Sequence, residues 1–435
     1  MAHSMAWTGG EPSRSGGGTL AATAATTDLA SSIDAFEASS ENVAGAVSSE
    51  ALNTGLVISD GSLPNAQESD LVATWNLVQL YAETEEGSTN AQDEGGVDHG
   101  TAIFNAGGTV SWSVAGWYED SGGTPFFESE SEVGSYTITS DGAGTTRTVD
   151  DEDDGSTETS FRLSQDRTTL IAVNPMVLGQ TAPAERTIVI AIKAPSNVPT
   201  VSDLSGSYFF AGIGMEAARE WRSELGTVTF DGVGGISGTW NSVQSGAGGE
   251  IFTNASLTGS YSFDGNGLLT LTLNLNGSAY IRYLGRCGDG LNSIVYMLPN
   301  DQEGEHPRFG MLVRKPSAAT NNATIQGNYH FANIARDHDG TAQELESGIG
   351  TLSFDGAGNY TWSTVGHSSL SSLVETDEES GTYRVNSDGT FTLTESDSID
   401  PDVLGRIQQG GGTLLLSMTD PTGTREHLLG IAIRK

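Results

Sequence analysis

The chain has 435 residues, 57 of them glycine, and carries 56 acidic against 19 basic side chains for a formal net charge of −37. Such a surface repels nucleic acid and anionic lipid, which argues against both as partners. A single cysteine, Cys287, excludes an intramolecular disulfide and any cysteine-built zinc or haem site. No apolar run approaches the ~20 residues of a transmembrane helix.

In chain order, residues 1–18 read as tag and linker. MAHSM (1–5) has the look of residues added for expression, standing where a native export signal would, and AWTGGEPSRSGGG (6–18) is flexible in composition. Residues 19–70 are Ala/Ser-rich. Leu29, Ile33, Phe36, Val43 and Val47 share one helical face, so one helix or two short ones are expected over 28–52. That face is a candidate for self-association, and its thin apolar stripe reads equally as a tail.

Three units follow, 71–193, 204–315 and 325–435, built around one repeated hairpin: GTAIFNAGGTVSW (100–112), GTVTFDGVGGISGTW (226–240) and GTLSFDGAGNYTW (350–362). Each hairpin is an alternating strand, an Asp/Asn-Gly turn and a second alternating strand ending in Trp. The units close alike, on IVIAIK, GMLVRK and GIAIRK. Each yields eight candidate strands. Side-chain alternation buries Trp75/Leu77, Tyr208/Phe210 and Tyr329/Phe331 on the first strands, and Phe104/Trp112, Phe230/Trp240 and Phe354/Trp362 on the hairpins. The opposite face is expected to carry mostly Thr, Ser and Asn. The fold class is therefore all-β: three tandem up-and-down antiparallel eight-stranded barrels, with two-sheet sandwiches as the alternative.

An even strand number places both ends of each unit at its tight-turn end, so the barrels are expected to hinge at their bases with loop-rich mouths free. The long loops at the mouths hold the acid. Loops on a rigid scaffold are where binding usually sits, and the candidate ligand-binding residues are Glu128, Glu130 and Glu132 in the first unit and Glu375, Asp377 and Glu379 in the third. Asp337, Asp339 and Glu346 match three positions of a calcium-binding EF-hand loop, with Ala335 where the first ligand belongs. No cofactor is expected, Ca²⁺ being the one candidate. The Asp150–Asp154 run reads as a solvated loop.

The histidines do not assemble into a transition-metal pattern: His99, His306, His338, His367 and His427 are expected in or beside mouth loops, and His330 on the outward face of its strand. No HExxH, GxSxG, phosphate-binding or dinucleotide fingerprint stands in its required context. Paired carboxylates leave a glycoside-acting enzyme as a third reading, without choosing a pair.

Gly206-Ser-Tyr208 and Gly327-Asn-Tyr329 on the first strands, with a basic residue closing the last (Lys193, Arg314, Arg434), resemble the calycin pattern; Ala73-Thr-Trp75 departs from it. The units also resemble Gly-rich repeat domains of exported bacterial proteins. The calycin resemblance implies an eight-stranded barrel and, as in lipocalins, a small apolar ligand in the lumen. The expectation for the whole is a non-catalytic extracellular or cell-surface protein that binds a cation, a basic protein or a glycan through acidic mouths. A carrier of small apolar ligands is the alternative.

Overall fold

The computed structural model describes residues 66–83, 94–119, 125–149, 156–174, 185–216, 220–244, 251–277, 279–298, 306–338, 343–368, 373–396, 402–419 and 427–435. The helix expected over 28–52 lies outside them. A four-residue helix, α1 (Glu68–Leu71), precedes the first barrel. No helix among the described residues is long and apolar enough to cross a membrane.

The first barrel comprises β1 (Ala73–Glu83), β2 (Glu94–Asn105), β3 (Thr109–Glu119), β4 (Pro125–Ile138), β5 (Ala143–Val149), β6 (Ser156–Leu163), β7 (Thr169–Val173) and β8 (Glu185–Lys193). The second runs through β9 (Ser205–Glu216), β10 (Glu220–Asp231), β11 (Gly235–Gln244), β12 (Ile251–Phe263), β13 (Leu269–Leu275), β14 (Ala279–Cys287), β15 (Ser293–Leu298) and β16 (Arg308–Arg314). The third runs through β17 (Gly327–His338), β18 (Gln343–Phe354), β19 (Asn359–Ser368), β20 (Glu375–Val385), β21 (Thr390–Glu395), β22 (Val403–Ile407), β23 (Thr413–Thr419) and β24 (His427–Arg434). Each set closes into an antiparallel barrel by pairing its last strand with its first. Closure removes the exposed edges a sandwich would leave.

The closing register sets Lys193, Arg314 and Arg434 opposite Trp75, Tyr208 and Tyr329. The Arg314 guanidinium lies 4.9 Å from the centre of the Tyr208 ring and donates to its hydroxyl at 2.6 Å. Below these pairs a helical turn plugs each barrel at its tight-turn end, burying Leu71, Leu204 or Ile325 in the lumen. Above the plug each lumen is packed with aromatic rings. Phe104, Phe230 and Phe354 meet Tyr136, Tyr261 and Tyr383 edge to face, with centroids at 5.0, 5.0 and 4.8 Å.

Trp240 departs from the expected equivalence. Tyr136, Tyr261 and Tyr383 pair with Gly108, Gly234 and Gly358, and counting from those glycines puts Gly238, not Trp240, at the level of Trp112 and Trp362. The second barrel's Trp stands one inward step nearer its mouth, just before a bulge between Trp240 and Ser242.

The expectation of hinged barrels with a polar outer face is corrected. Strands one, seven and eight of each barrel, and strand two toward its mouth, are largely buried on both faces, because their outer faces build one shared core. It includes Ile171, Ile188, Ile190 and Ile192 of the first barrel, Phe209, Trp221, Met311 and Val313 of the second, and Ile334, Leu429, Ile431 and Ile433 of the third. The contacts are cyclic: β7 and β8 pack on β17 and β18, β23 and β24 on β9 and β10, and β15 and β16 on β1 and β2. Head-to-tail contacts that close in this way make a ring. The β6–β7, β14–β15 and β22–β23 turns meet around a polar cavity of about 70 Å³, with Asp166, Asp289, Gln408 and Gln409 in its wall.

Of the histidines expected in or beside mouth loops, His99 lies well inside β2, whereas His367 and His427 stand at the ends of β19 and β24. His99 hydrogen-bonds through Nδ1 with Ala115 O at 2.9 Å, and burial followed by the Arg286 charge lowers its pKa. His367 meets Arg186 of the first barrel at 2.9 Å, and His427 meets Ser223 of the second at 3.1 Å. Cys287 is buried at the end of β14, and burial pushes its thiol up to about 12, which makes it unreactive.

Candidate functional site

With one flank of each barrel sealed in the shared core, strands three to five face away from it. Here the first barrel extends a long hairpin. β3 pairs with β4 from Glu119↔Pro125 to Thr109↔Ser135, whereas β5 pairs with β4 only from Val133 onward. Tyr136 points into the lumen, so alternation places Glu132, Glu130, Glu128 and Phe126 on the same luminal face. Glu128 and Glu130 are exposed and Glu132 is half-buried. In the third barrel the same parity from Tyr383 aligns Glu379, Asp377 and Glu375, each half-buried. The two triplets singled out in the sequence are thus equivalent columns on the fourth strands. In the second barrel Leu257 and Ala255 occupy the levels of Glu132 and Glu130 and are buried.

One residue of the first column's surroundings was not singled out in the sequence. Asp98, on β2, is level with Gly116 on β3, which is level with Glu128 on β4. It is 1% exposed and accepts hydrogen bonds from Tyr118 Oη at 2.7 Å and Gln79 Nε2 at 3.0 Å. Burial raises its carboxyl to about 6, the Tyr118 bond opposes this, and the Glu130 and Glu128 charges add to it. Gly116 makes the room, since a Cβ there would collide with Asp98 Oδ1. Aromatic rings finish the rim: Phe126 stacks on Tyr118 at 5.5 Å, Phe127 meets Trp117 edge-on at 5.0 Å, and the two phenylalanines are 41% and 53% exposed.

In the third barrel burial raises the Asp377 carboxyl, and a hydrogen bond with Glu379 opposes that shift. A hydrogen bond between two carboxyls requires a proton on one of them. In the second barrel Glu224 is a luminal acid, fully buried and bonded by the hydroxyls of Tyr283 and Tyr296, each at 2.9 Å. Burial raises its pKa and Arg308 opposes. Beside it lies a gap of about 20 Å³ lined by Phe210, Trp240 and Leu312, which is space for about one water.

Asp337 on β17 is level with Glu344 on β18, and Glu346 is level with Ala335, so these residues sit on a paired ladder. Glu346 is buried, and Asp339 lies outside the described residues. No group of three His, Cys, Asp or Glu gathers to hold a metal among the described residues.

Fold and faces together define a class: a tandem of three closed antiparallel barrels with acidic luminal columns in the first and third. No family model matches the chain, and no curated protein matches it. Among solved structures it is similar to a transferrin binding protein B mutant from Haemophilus parasuis Hp5, at 9% identity over 86% of this chain and 77% of that one, TM-score 0.27. It is also similar to an intact two-lobed transferrin binding protein B, at 11% identity over 85% and 77%, TM-score 0.23. No role for this chain is drawn from either.

Proposed function

We propose that this protein is a non-catalytic binding protein of the cell surface or extracellular medium, engaging a basic protein partner through the acidic columns of its first and third barrels. The observation that carries the reading is Glu128, Glu130 and Glu132 sharing one face of β4, the first two exposed and the third half-buried, with Asp98 buried beside them. Carboxylates on alternate residues of a strand stand about 6.7 Å apart along the chain. Such a row suits a row of cationic side chains better than one ion, which takes six to eight oxygens at about 2.4 Å.

Cation and glycan binding remain the other arms of the same reading, and both are measurable. Titration with poly-L-lysine, Ca²⁺ and neutral oligosaccharides in parallel calorimetry tests it. The reading expects salt-dependent binding of polylysine that weakens when Glu128, Glu130 and Glu132 are changed to glutamine; equal binding by the parent and the triple variant overturns it. The filled lumen of the second barrel speaks against a carrier of apolar ligands.

A further inference from the structure

We infer that the outer edge of β4, from Phe127 to Ser131, takes up an extended basic peptide as an added antiparallel or parallel strand. This inference rests on the reading of the acidic columns as faces for a basic partner, and it names how that partner is held.

The hydrogen-bond phase of β4 sets the geometry. Tyr136 N donates to Gly108 O on β3, and Thr139 N donates to Ala143 O on the β5 side. Main-chain groups of even-numbered residues therefore point to β3, and those of odd-numbered residues point the other way. From Val133 onward the odd residues meet β5. Among the described residues, no strand pairs with β4 on this side before Val133. Phe127, Ser129 and Ser131 present N–H and C=O groups along that edge, and their side chains are exposed. An edge of this kind is a template for another strand.

Charge selects the occupant. A strand added here would place every second side chain beside Glu128, Glu130 and Glu132. Its other side chains would lie beside Phe127, Ser129 and Ser131, all exposed. The fitting sequence alternates Lys or Arg with β-branched or apolar residues. A second copy of the same edge would set one glutamate column against another, and the repulsion disfavours it. The second barrel offers an internal contrast: at its equivalent edge Ser256 N donates to Asn276 Oδ1 at 3.1 Å, Ser256 O accepts from Asn276 N at 2.9 Å, and the acidic levels are apolar.

The test uses the full chain and a peptide of about eight residues, the length of an ordinary strand, alternating Lys with Thr. Its counterparts are a Glu–Thr peptide and a Lys–Thr peptide N-methylated at alternate amides, which keeps the charge and removes the donors. Calorimetry is expected to show binding of the Lys–Thr peptide, and affinity roughly tenfold or more lower for both counterparts. Ser129→Pro, which removes an edge N–H while leaving the β3 pairing, is expected to cause a similar loss with an unchanged circular dichroism spectrum. Amide exchange should slow at Phe127, Ser129 and Ser131 in the complex. Equal binding of the methylated peptide, or no binding of the Lys–Thr peptide, overturns the inference. If polylysine still binds in a glutamate-dependent way, the acidic-face reading survives that result; if polylysine fails too, both fall.

Discussion

The main-chain N–H of Gln165, in the β6–β7 turn of the first barrel, donates to the carbonyl oxygen of Arg434, at the end of the third, at 2.8 Å. Gln409 N makes the corresponding bond to Arg314 O between the third barrel and the second, at 2.7 Å. Barrels distant in sequence are thus joined by the same contact as neighbouring ones.

Side chains on the outer faces of the sealing strands should therefore behave as core. Ile431 projects from the outside of β24 and is fully buried in the shared core. Ile431→Ala is expected to cost about 2–5 kcal/mol, read from the denaturant midpoint. If the barrels were independent, the same change would fall within about 0.5 kcal/mol of zero.

Asp98 gives the first barrel a pH dependence of definite sign. Its carboxyl moves from 3.8 to about 6 in the fold. Between those values the native state keeps a proton that the unfolded chain has released, so stability falls as pH rises from about 4 to about 6. The loss amounts to about 3 kcal/mol. Asp98→Asn is neutral throughout, so urea unfolding should find it more stable than the parent above pH 6 and close to it below pH 4.

His330 works in the opposite direction at the seam between the third and first barrels. Its Nε2 lies 3.1 Å from Asp141 O, and burial, followed by the charge of Lys435, lowers its pKa to about 4. Between pH 4 and 6.5 the unfolded chain is protonated there and the native state is not. Stability should fall by about 3 kcal/mol as pH drops through that window. His330→Gln keeps a donor for Asp141 O, and its urea midpoint should lack this acid-side loss.

Arg434 tests the packing at the barrel closure. It donates to Tyr329 Oη at 2.8 Å and to Thr324 O at 3.2 Å, with its guanidinium 5.3 Å from the Tyr329 ring centre. Both bonds leave one terminal nitrogen, and a lysine ammonium in its place loses the planar guanidinium's stacking against the ring. Arg434→Lys is expected to cost about 1–2 kcal/mol, measured by thermal unfolding.

Much of this fold was legible because a strand has a period of two. The inward parity of Trp75, Tyr208, Tyr329 and the repeated hairpins reads directly from alternation, and all of these side chains line lumens. The shared core was missed although β8 carried its signal. Ile188, Ile190 and Ile192 alternate with Val189 and Ala191 in an unbroken apolar run, the mark of a strand buried on both faces. Trp240 misled because its hairpin has two more residues after the turn, which moves the ring one inward step.

The acids of the two columns were picked out as mouth-loop residues, whereas they stand on the fourth strands, where alternation gives them one face. Asp98 was not legible, since its burial depends on a missing side chain at Gly116, on another strand. Sequence spacing carries no trace of that cross-strand vacancy.

The cyclic order of the three barrels also has a consequence for synthesis. The first barrel's last strand ends at Lys193, but β17 and β18, which cover Ile188 and Ile190, arrive from about residue 327 onward, and the ring shuts only with Arg434. At roughly 5–20 residues per second, a ribosome needs about 12–50 seconds to make the intervening chain. Throughout that interval the nascent first barrel carries a wet, greasy flank, and the final strand to emerge completes its shelter.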